Sequence, residues 1–201
     1  MAKLYFYYAA MNAGKSTTLL QADFNYRERG MATMLWTAAH DARSGVGRIS
    51  SRLEIGADAH VYRPDTDLLD EVTARMDAGA LHCLLVDEAQ FLTQAQVLQL
   101  CRLADERDLP VLCYGLRTDF VGDLFPGSAG LLALADALIE LKAVCECGRK
   151  ATMNLRVDGD GNAVTRGAQT EIGGNDRYVA LCRRHFHARL ARSEARSAAL
   201  A

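Results

Sequence analysis

Short apolar runs, each closed by glycine or polar positions, alternate along the first three quarters of the chain with longer stretches of helical period. Lys3 to Tyr8 reads as a buried strand, followed by a turn and a helical stretch from Lys15 to Arg29 that Gly30 closes as a C-terminal cap. Thr33 to Thr37 reads as a second strand, and Asp65 to Asp77 as a helix that opens on acidic residues and stops at Gly79. Leu81 to Val86 is a third strand. Thr93 can cap a helix running to Asp108, Pro110 ends it, and Val111 to Leu116 is another strand. Leu131 to Ala137 fits helix or strand, and Ile139 to Val144 brings a final strand to the sheet edge. Strands alternating with helices predict an α/β protein with a mainly parallel sheet.

Two segments break the pattern. His40 to Arg52 holds Gly45, Gly47 and three arginines with little apolar periodicity, and is expected to be a mobile loop or a solvated surface segment. After Val144 the residues turn to clustered Cys, Gly and polar types with no long apolar helix, which places a domain boundary there. The expected organisation is a main domain over 1–144, a small domain over 145–187 and a tail over 188–201, frayed or briefly helical.

With 201 residues, half of them hydrophobic, the chain can bury a full core. Its 23 Lys and Arg nearly balance 25 Asp and Glu, so a net charge of −2 supplies no long-range field to hold a polyanion. Nucleic acid is not the default partner. The first residues lack the apolar stretch and cleavage site of a signal peptide, and no run approaches the length that spans a bilayer, so a cytoplasmic protein is expected. In such a reducing compartment the six cysteines are expected to be metal ligands or buried thiols.

The chemistry begins at Ala9-Ala10-Met11-Asn12-Ala13-Gly14-Lys15-Ser16, which follows a strand and opens a helix, the context a P-loop requires. Backbone N–H groups and the helix N-terminus would face the β- and γ-phosphates of ATP. Lys15 would set its ammonium against phosphate oxygens and Ser16 would ligate Mg²⁺. The first position departs from the general motif, with Ala9 where Gly is usual. Leu84-Leu85-Val86-Asp87-Glu88-Ala89-Gln90 supplies the second part: Asp87 can orient Mg²⁺ or its water, and Glu88 is free to take a proton from an attacking oxygen. Two acids ending a strand can also be a solvated turn.

Cys145-Glu146-Cys147 and Cys182-Arg183-Arg184-His185 form two ligand pairs, each half of a Cys₃His zinc site. Four protein ligands leave no open position, so the zinc would be structural. His187 is the alternative to His185, which makes the more compact chelate. Cys83, Cys101 and Cys113 fall on apolar strand or helix positions and read as core thiols.

In this order, the P-loop, Val-Asp-Glu-Ala-Gln-Phe, Gly-Leu-Arg-Thr-Asp-Phe, Cys-x-Cys and Ile-Gly-Gly-Asn-x-x-Tyr before Cys-x-x-His resemble the type II, zinc-containing thymidine kinases over residues 3–187. Tyr5-Phe6-Tyr7-Tyr8 and Cys113-Tyr114-Gly115-Leu116-Arg117 are similar to the enterobacterial-type members, which also lack the first P-loop Gly. The resemblance implies a RecA-like P-loop sheet with a zinc-ribbon lasso domain, and transfer of the γ-phosphate of ATP to the 5′-hydroxyl of thymidine or deoxyuridine. Glu88 matches the catalytic base, residues 9–16 the ATP loop, and Asp87, Ala89 and Gln90 further nucleotide-site positions. Gln169, Thr170, Glu171, Ile172 and Gly173 match the lasso whose backbone hydrogen-bonds the pyrimidine, and Tyr178 a tyrosine on the nucleoside. Met11, Phe91, Leu116, Phe120 and Phe125 match apolar positions around the base, where core packing is the competing role. Arg52 matches an arginine that reaches the transferring phosphoryl group. A homotetramer and feedback inhibition by thymidine triphosphate are likewise implied. Two other classes also join a P-loop to a zinc ribbon: a nucleic-acid ATPase, which needs a basic stripe this chain lacks, and a non-catalytic protein using ATP as a structural ligand, against which Glu88 argues.

Overall fold

A computed structural model describes residues 1–40, 45–170 and 177–199. Six parallel strands form the central sheet. In chain order these are β1 (Leu4–Ala9), β2 (Thr33–Ala38), β5 (His60–Tyr62), β6 (Cys83–Val86), β7 (Val111–Leu116) and β8 (Ala137–Glu140), arranged β5-β2-β6-β7-β1-β8 across the sheet. The remaining described strands are β3 (Arg48–Ser50) and β4 (Gly56–Asp58), which pair as a hairpin, β9 (Ala143–Val144) with β10 (Lys150–Ala151), and β11 (Met153–Arg156) with β12 (Tyr178–Leu181).

A parallel sheet is covered on both faces, and its strands alternate which core they feed. Leu84 and Val86 enter one apolar cluster with Phe6, Trp36, Leu100 and Leu103, while Cys83 and Leu85 enter another with Leu19, Leu20, Leu112 and Tyr114. The first face is closed by α2 (Leu68–Asp77), α3 (Gln94–Arg107) and α4 (Pro126–Leu134), the second by α1 (Lys15–Glu28). Thr93 caps α3 through a reciprocal pair: its hydroxyl accepts from Gln96 N at 3.2 Å, and Gln96 Oε1 accepts from Thr93 N at 3.0 Å.

Several boundaries differ from the sequence expectation. The second helix starts at Leu68, because the Asp67 carboxylate accepts from Asp70 N and turns the acidic opening into a cap. Leu131 to Leu134 close α4, and the edge strand begins at Ala137, fixed where Asp136 Oδ2 accepts from Leu4 N at 2.8 Å. Ala143 and Val144, expected in that strand, pair instead with Lys150 and Ala151. Within the expected loop, Arg48 to Ser50 are strand, paired with Gly56 to Asp58; residues 41–44 lie outside the described residues. The tail is part of a longer helix, α5 (Arg183–Ala199), that starts ahead of Phe186.

From Ala143 onward the chain builds its own apolar cluster, with Cys145, Met153, Leu155, Leu181 and Phe186 at its centre. Ala10 of the first loop is the buried residue that joins it from the N-terminal part. No helix among the described residues is long and apolar enough to cross a membrane.

Candidate active site

The loop after β1 runs from Ala10 to Gly14, and Gly14 turns into α1 with φ 78°, a left-handed value that glycine adopts without Cβ strain. Gly14 at the N-cap has no side chain with which to cap the first turn of α1, an arrangement that suits a ligand at those N–H groups. Lys15 Nζ donates to Ala10 O at 3.2 Å, folding the ammonium back over the loop.

Two strands away in the sheet, β6 ends in Asp87 and Glu88. The Ser16 hydroxyl donates to Asp87 Oδ2 at 2.9 Å, so the two sequence motifs meet at one point. Asp87 is buried; burial first, then the neighbouring Glu88, pushes its carboxyl up to about 7, against the opposing pull of Ser16, the Glu88 N–H and Lys15. A hydroxyl and a buried carboxylate oxygen in contact form a hard-oxygen pair that suits Mg²⁺.

Glu88 has φ 53° and ψ 34°, a conformation that costs a non-glycine residue about 1–3 kcal/mol unless its surroundings hold it. They do. Its N–H donates to Asp87 Oδ1 at 3.0 Å, its carbonyl accepts from the Tyr62 hydroxyl at 2.8 Å, and its Oε2 accepts from Gln90 Nε2 at 2.5 Å. Burial, then the Glu88 charge, keeps the Tyr62 hydroxyl protonated well above its ordinary range, so it stays a donor. Gln90 is fully buried, and its Oε1 accepts from Leu116 N at 3.0 Å, fixing the amide that faces Glu88.

Two of the aromatic positions, Phe91 and Phe125, pack together at this turn. Phe91 packs edge-on to Phe125 at 5.8 Å between ring centroids and stacks with His40, also at 5.8 Å. The Arg156 guanidinium lies 3.6 Å from the Phe120 ring centroid and donates to Ala168 O at 3.0 Å and Arg166 O at 3.4 Å. Asp119, buried, accepts from the N–H groups of Val121, Gly122 and Asp123 and from Gln169 Nε2 at 3.0 Å. The segment entering the expected lasso is thus fastened by Arg156 and Asp119. Thr170 is half-buried and Tyr178 opens β12; Glu171, Ile172 and Gly173 lie outside the described residues. Arg52 contacts Asn12 Oδ1 of the first loop.

Cys145, Cys147, Cys182 and His185 bring their ligand atoms within 4.8 Å of one another. Cys145 Sγ is 3.4 Å from His185 Nδ1, and Cys147 Sγ is 3.9 Å from Cys182 Sγ. Zn–S bonds of about 2.3 Å imply sulfur separations of roughly 3.8 Å in a tetrahedron, so the set fits a structural zinc. The ligands come from the turn after β9 and from the junction of β12 with α5. Burial alone would raise the Cys145 thiol, but the N–H groups of Cys147 and Cys182, with His185 and the Cys147 side chain, bring it down to about 6, favouring the ligating thiolate. His185 belongs to the cluster; His187 instead packs edge-on to Phe186.

The model of the family "Thymidine kinase" matches residues 2–186. The chain belongs to the thymidine kinase family. It is therefore a kinase, a phosphotransferase. Thymidine kinase of Novosphingobium aromaticivorans is 71% identical over 186 residues, covering 92% of this chain and 97% of that protein. Thymidine kinase of Vibrio cholerae is 57% identical over 192 residues, covering 96% and 100%. Thymidine kinase of Yersinia pestis is 58% identical over 186 residues, covering 92% and 95%.

Four residues of this site escape a reading of the sequence: Tyr62, Asp119, Asn154 and Arg156. Asn154 is buried in β11; its Oδ1 accepts from Met11 N at 2.7 Å and its Nδ2 donates to Thr118 O at 3.2 Å. Asp119 lies in a motif that sequence reading singles out, so it was within reach; the other three carry no local signal.

Proposed function

We propose that the chain transfers the γ-phosphate of ATP to the 5′-hydroxyl of thymidine, and also of deoxyuridine, giving the nucleoside monophosphate for salvage. The observation that carries this reading is the Ser16–Asp87 hydrogen bond, which puts the phosphate loop and the Asp-Glu strand end in one site with Glu88 beside it. ATP sits on residues 9–16 with its phosphates against the N-terminus of α1, Lys15 and Arg52. Ser16 and Asp87 would hold Mg²⁺, which would supply neutralising charge to the triphosphate. The 5′-oxygen attacks the γ-phosphorus, its proton passes to Glu88, and the bond from γ-phosphorus to the bridging oxygen breaks to release ADP. Asp87, Ala89 and Gln90 complete the nucleotide side.

The nucleoside is placed under a lasso of Gln169 to Gly173 with Tyr178, its base among Met11, Phe91, Leu116, Phe120 and Phe125. Residues 1–144 then act as the ATP domain and 145–187 as the nucleoside-covering domain, whose base a structural zinc on Cys145, Cys147, Cys182 and His185 holds together. A cytoplasmic homotetramer inhibited by thymidine triphosphate completes the reading. Radiolabelled phosphate transfer from ATP to thymidine, deoxyuridine, deoxycytidine and uridine tests it, with product expected from the first two. Activity on deoxycytidine without thymidine would overturn the substrate. Glu88→Gln is expected to lower kcat by roughly 10²–10⁴-fold, and unchanged turnover would remove the base assignment.

A further inference from the structure

We propose that Gln90 is a positioning residue for Glu88, seated on β7 by Gly115 and the Leu116 N–H, and that it serves the nucleotide side only through that carboxylate. The inference rests on the reading of Glu88 as the base given above. Gln90 lies in the short 3₁₀ turn Ala89–Phe91 that follows Glu88, and it is fully buried, so no surface of it is open to a ligand in the site. Whatever it contributes is passed on by the groups it touches.

Both ends of the amide are held. Leu116 N, a backbone group that can only donate, lies 3.0 Å from Oε1 and so fixes which end of the amide is oxygen. The NH₂ end is thereby turned to Glu88, and Nε2 donates to Oε2 at 2.5 Å. Room for this seat comes from Gly115: a Cβ there would stand 2.9 Å from Gln90 Oε1 and 3.0 Å from Gln90 N, inside the 3.4 Å at which ordinary contact starts. A glutamate side chain turns about several bonds, and without a fixed partner its carboxylate is spread over several staggered positions. A donor that is itself locked from the adjacent strand selects one of them. Such a bond sets the geometry of the reacting groups and adds nothing to the affinity for either substrate, so its loss falls on kcat.

The test is a double-mutant cycle on the full-length, zinc-loaded protein, read as kcat and as KM for ATP and for thymidine in the phosphate-transfer assay. Gln90→Met keeps a similar volume and removes both amide groups; it is expected to lower kcat by at least about tenfold, with both KM values within about threefold of wild type. In a Glu88→Gln protein the same change is expected to lower the residual kcat by less than about twofold, because the carboxylate it positions is gone. Gly115→Ala leaves Gln90 chemically intact and crowds it out of its seat. It is expected to show the same split between kcat and KM, and it decides the matter should Gln90→Met not fold. A KM for ATP that rises with kcat held, an equal loss of kcat in the wild-type and Glu88→Gln backgrounds, or wild-type kcat in either variant overturns the proposal. Unchanged turnover in Glu88→Gln alone would instead overturn the reading of Glu88 as the base.

Discussion

Gly127, the second residue of α4, carries a prediction that joins packing to catalysis. A Cβ at this position would lie 2.4 Å from Ala89 O, 2.9 Å from Gln90 O and 2.9 Å from Leu92 O, all backbone atoms of the turn that follows Glu88. Backbone cannot rotate away as a side chain does, so Gly127→Ala must push α4 and that turn apart. Ordinary contact starts at 3.4 Å, which makes the required displacement about 1 Å at Ala89. Overpacking of this kind costs about 1–3 kcal/mol, and the entropy gained by replacing glycine returns about 0.4–1 kcal/mol. A net loss of about 1–2 kcal/mol lowers Tm by roughly 2–8 °C in a chain of this size. The catalytic effect should be larger, since a misplacement of about 1 Å can cost on the order of 10²-fold in rate. Scanning calorimetry and initial-rate phosphate transfer on the same preparation separate the two. Gly159→Ala, whose Cβ meets nothing within 4 Å, serves as the control and should leave both unchanged. A Gly127→Ala protein with wild-type kcat and Tm would refute the argument that α4 sets the position of Glu88.

Three further outcomes follow from other parts of the molecule. Cys147→Ser should lose bound zinc and thymidine affinity together, read by metal analysis and by KM for thymidine; unchanged KM in a zinc-free preparation would separate the metal from the lasso. Thr93→Ala removes half of the capping box on α3 and should cost about 0.5–2 kcal/mol in denaturant unfolding, with kcat held, because the partner of the cap is Gln96 of α3 itself. Burial, partly offset by a hydrogen bond with Tyr26 and reinforced by Asp23, pushes the Cys83 thiol up to about 12 from 9.0. Its folded pKa exceeds its unfolded one, so the unfolded chain sheds this proton first. The stability it contributes is intact below about pH 9 and falls by about 1.4 kcal/mol per pH unit toward pH 12. Cys83→Ala should flatten that part of the alkaline unfolding curve.

What could be read from the sequence is whatever chemistry demands in contiguous residues. A phosphate loop must be a strand, a glycine turn and a helix start in succession, and a strand-end acid pair needs only its strand. Cys145 and Cys147 likewise announce themselves by spacing. The unreadable parts depend on partners far along the chain. Met11 and Asn154 are 143 residues apart, and Tyr62 reaches Glu88 across 26. β5 is three residues long, His-Val-Tyr, too short for any period to show, although Tyr62 within it holds the Glu88 carbonyl. α4 contains Gly127 and Gly130, which weaken helix propensity; it forms because the small residues let it lie against the turn at Ala89 and against α3.

These long-range ties share a logic. Glu88 adopts a conformation its own residue type disfavours, and the neighbouring Asp87 carboxylate and Gln90 amide are part of what holds it. It is held because β5 supplies the Tyr62 hydroxyl, β7 fixes the Gln90 amide through Leu116 N, and α4 presses its glycine face on the turn. Each contact comes from a different element of the sheet or its covering layer, so loosening one leaves two. The loop after β1 is served differently: its Met11 amide is anchored from β11, outside the central sheet. Glu88 is therefore braced by the sheet and its covering layer, while the loop after β1 is tied to β11.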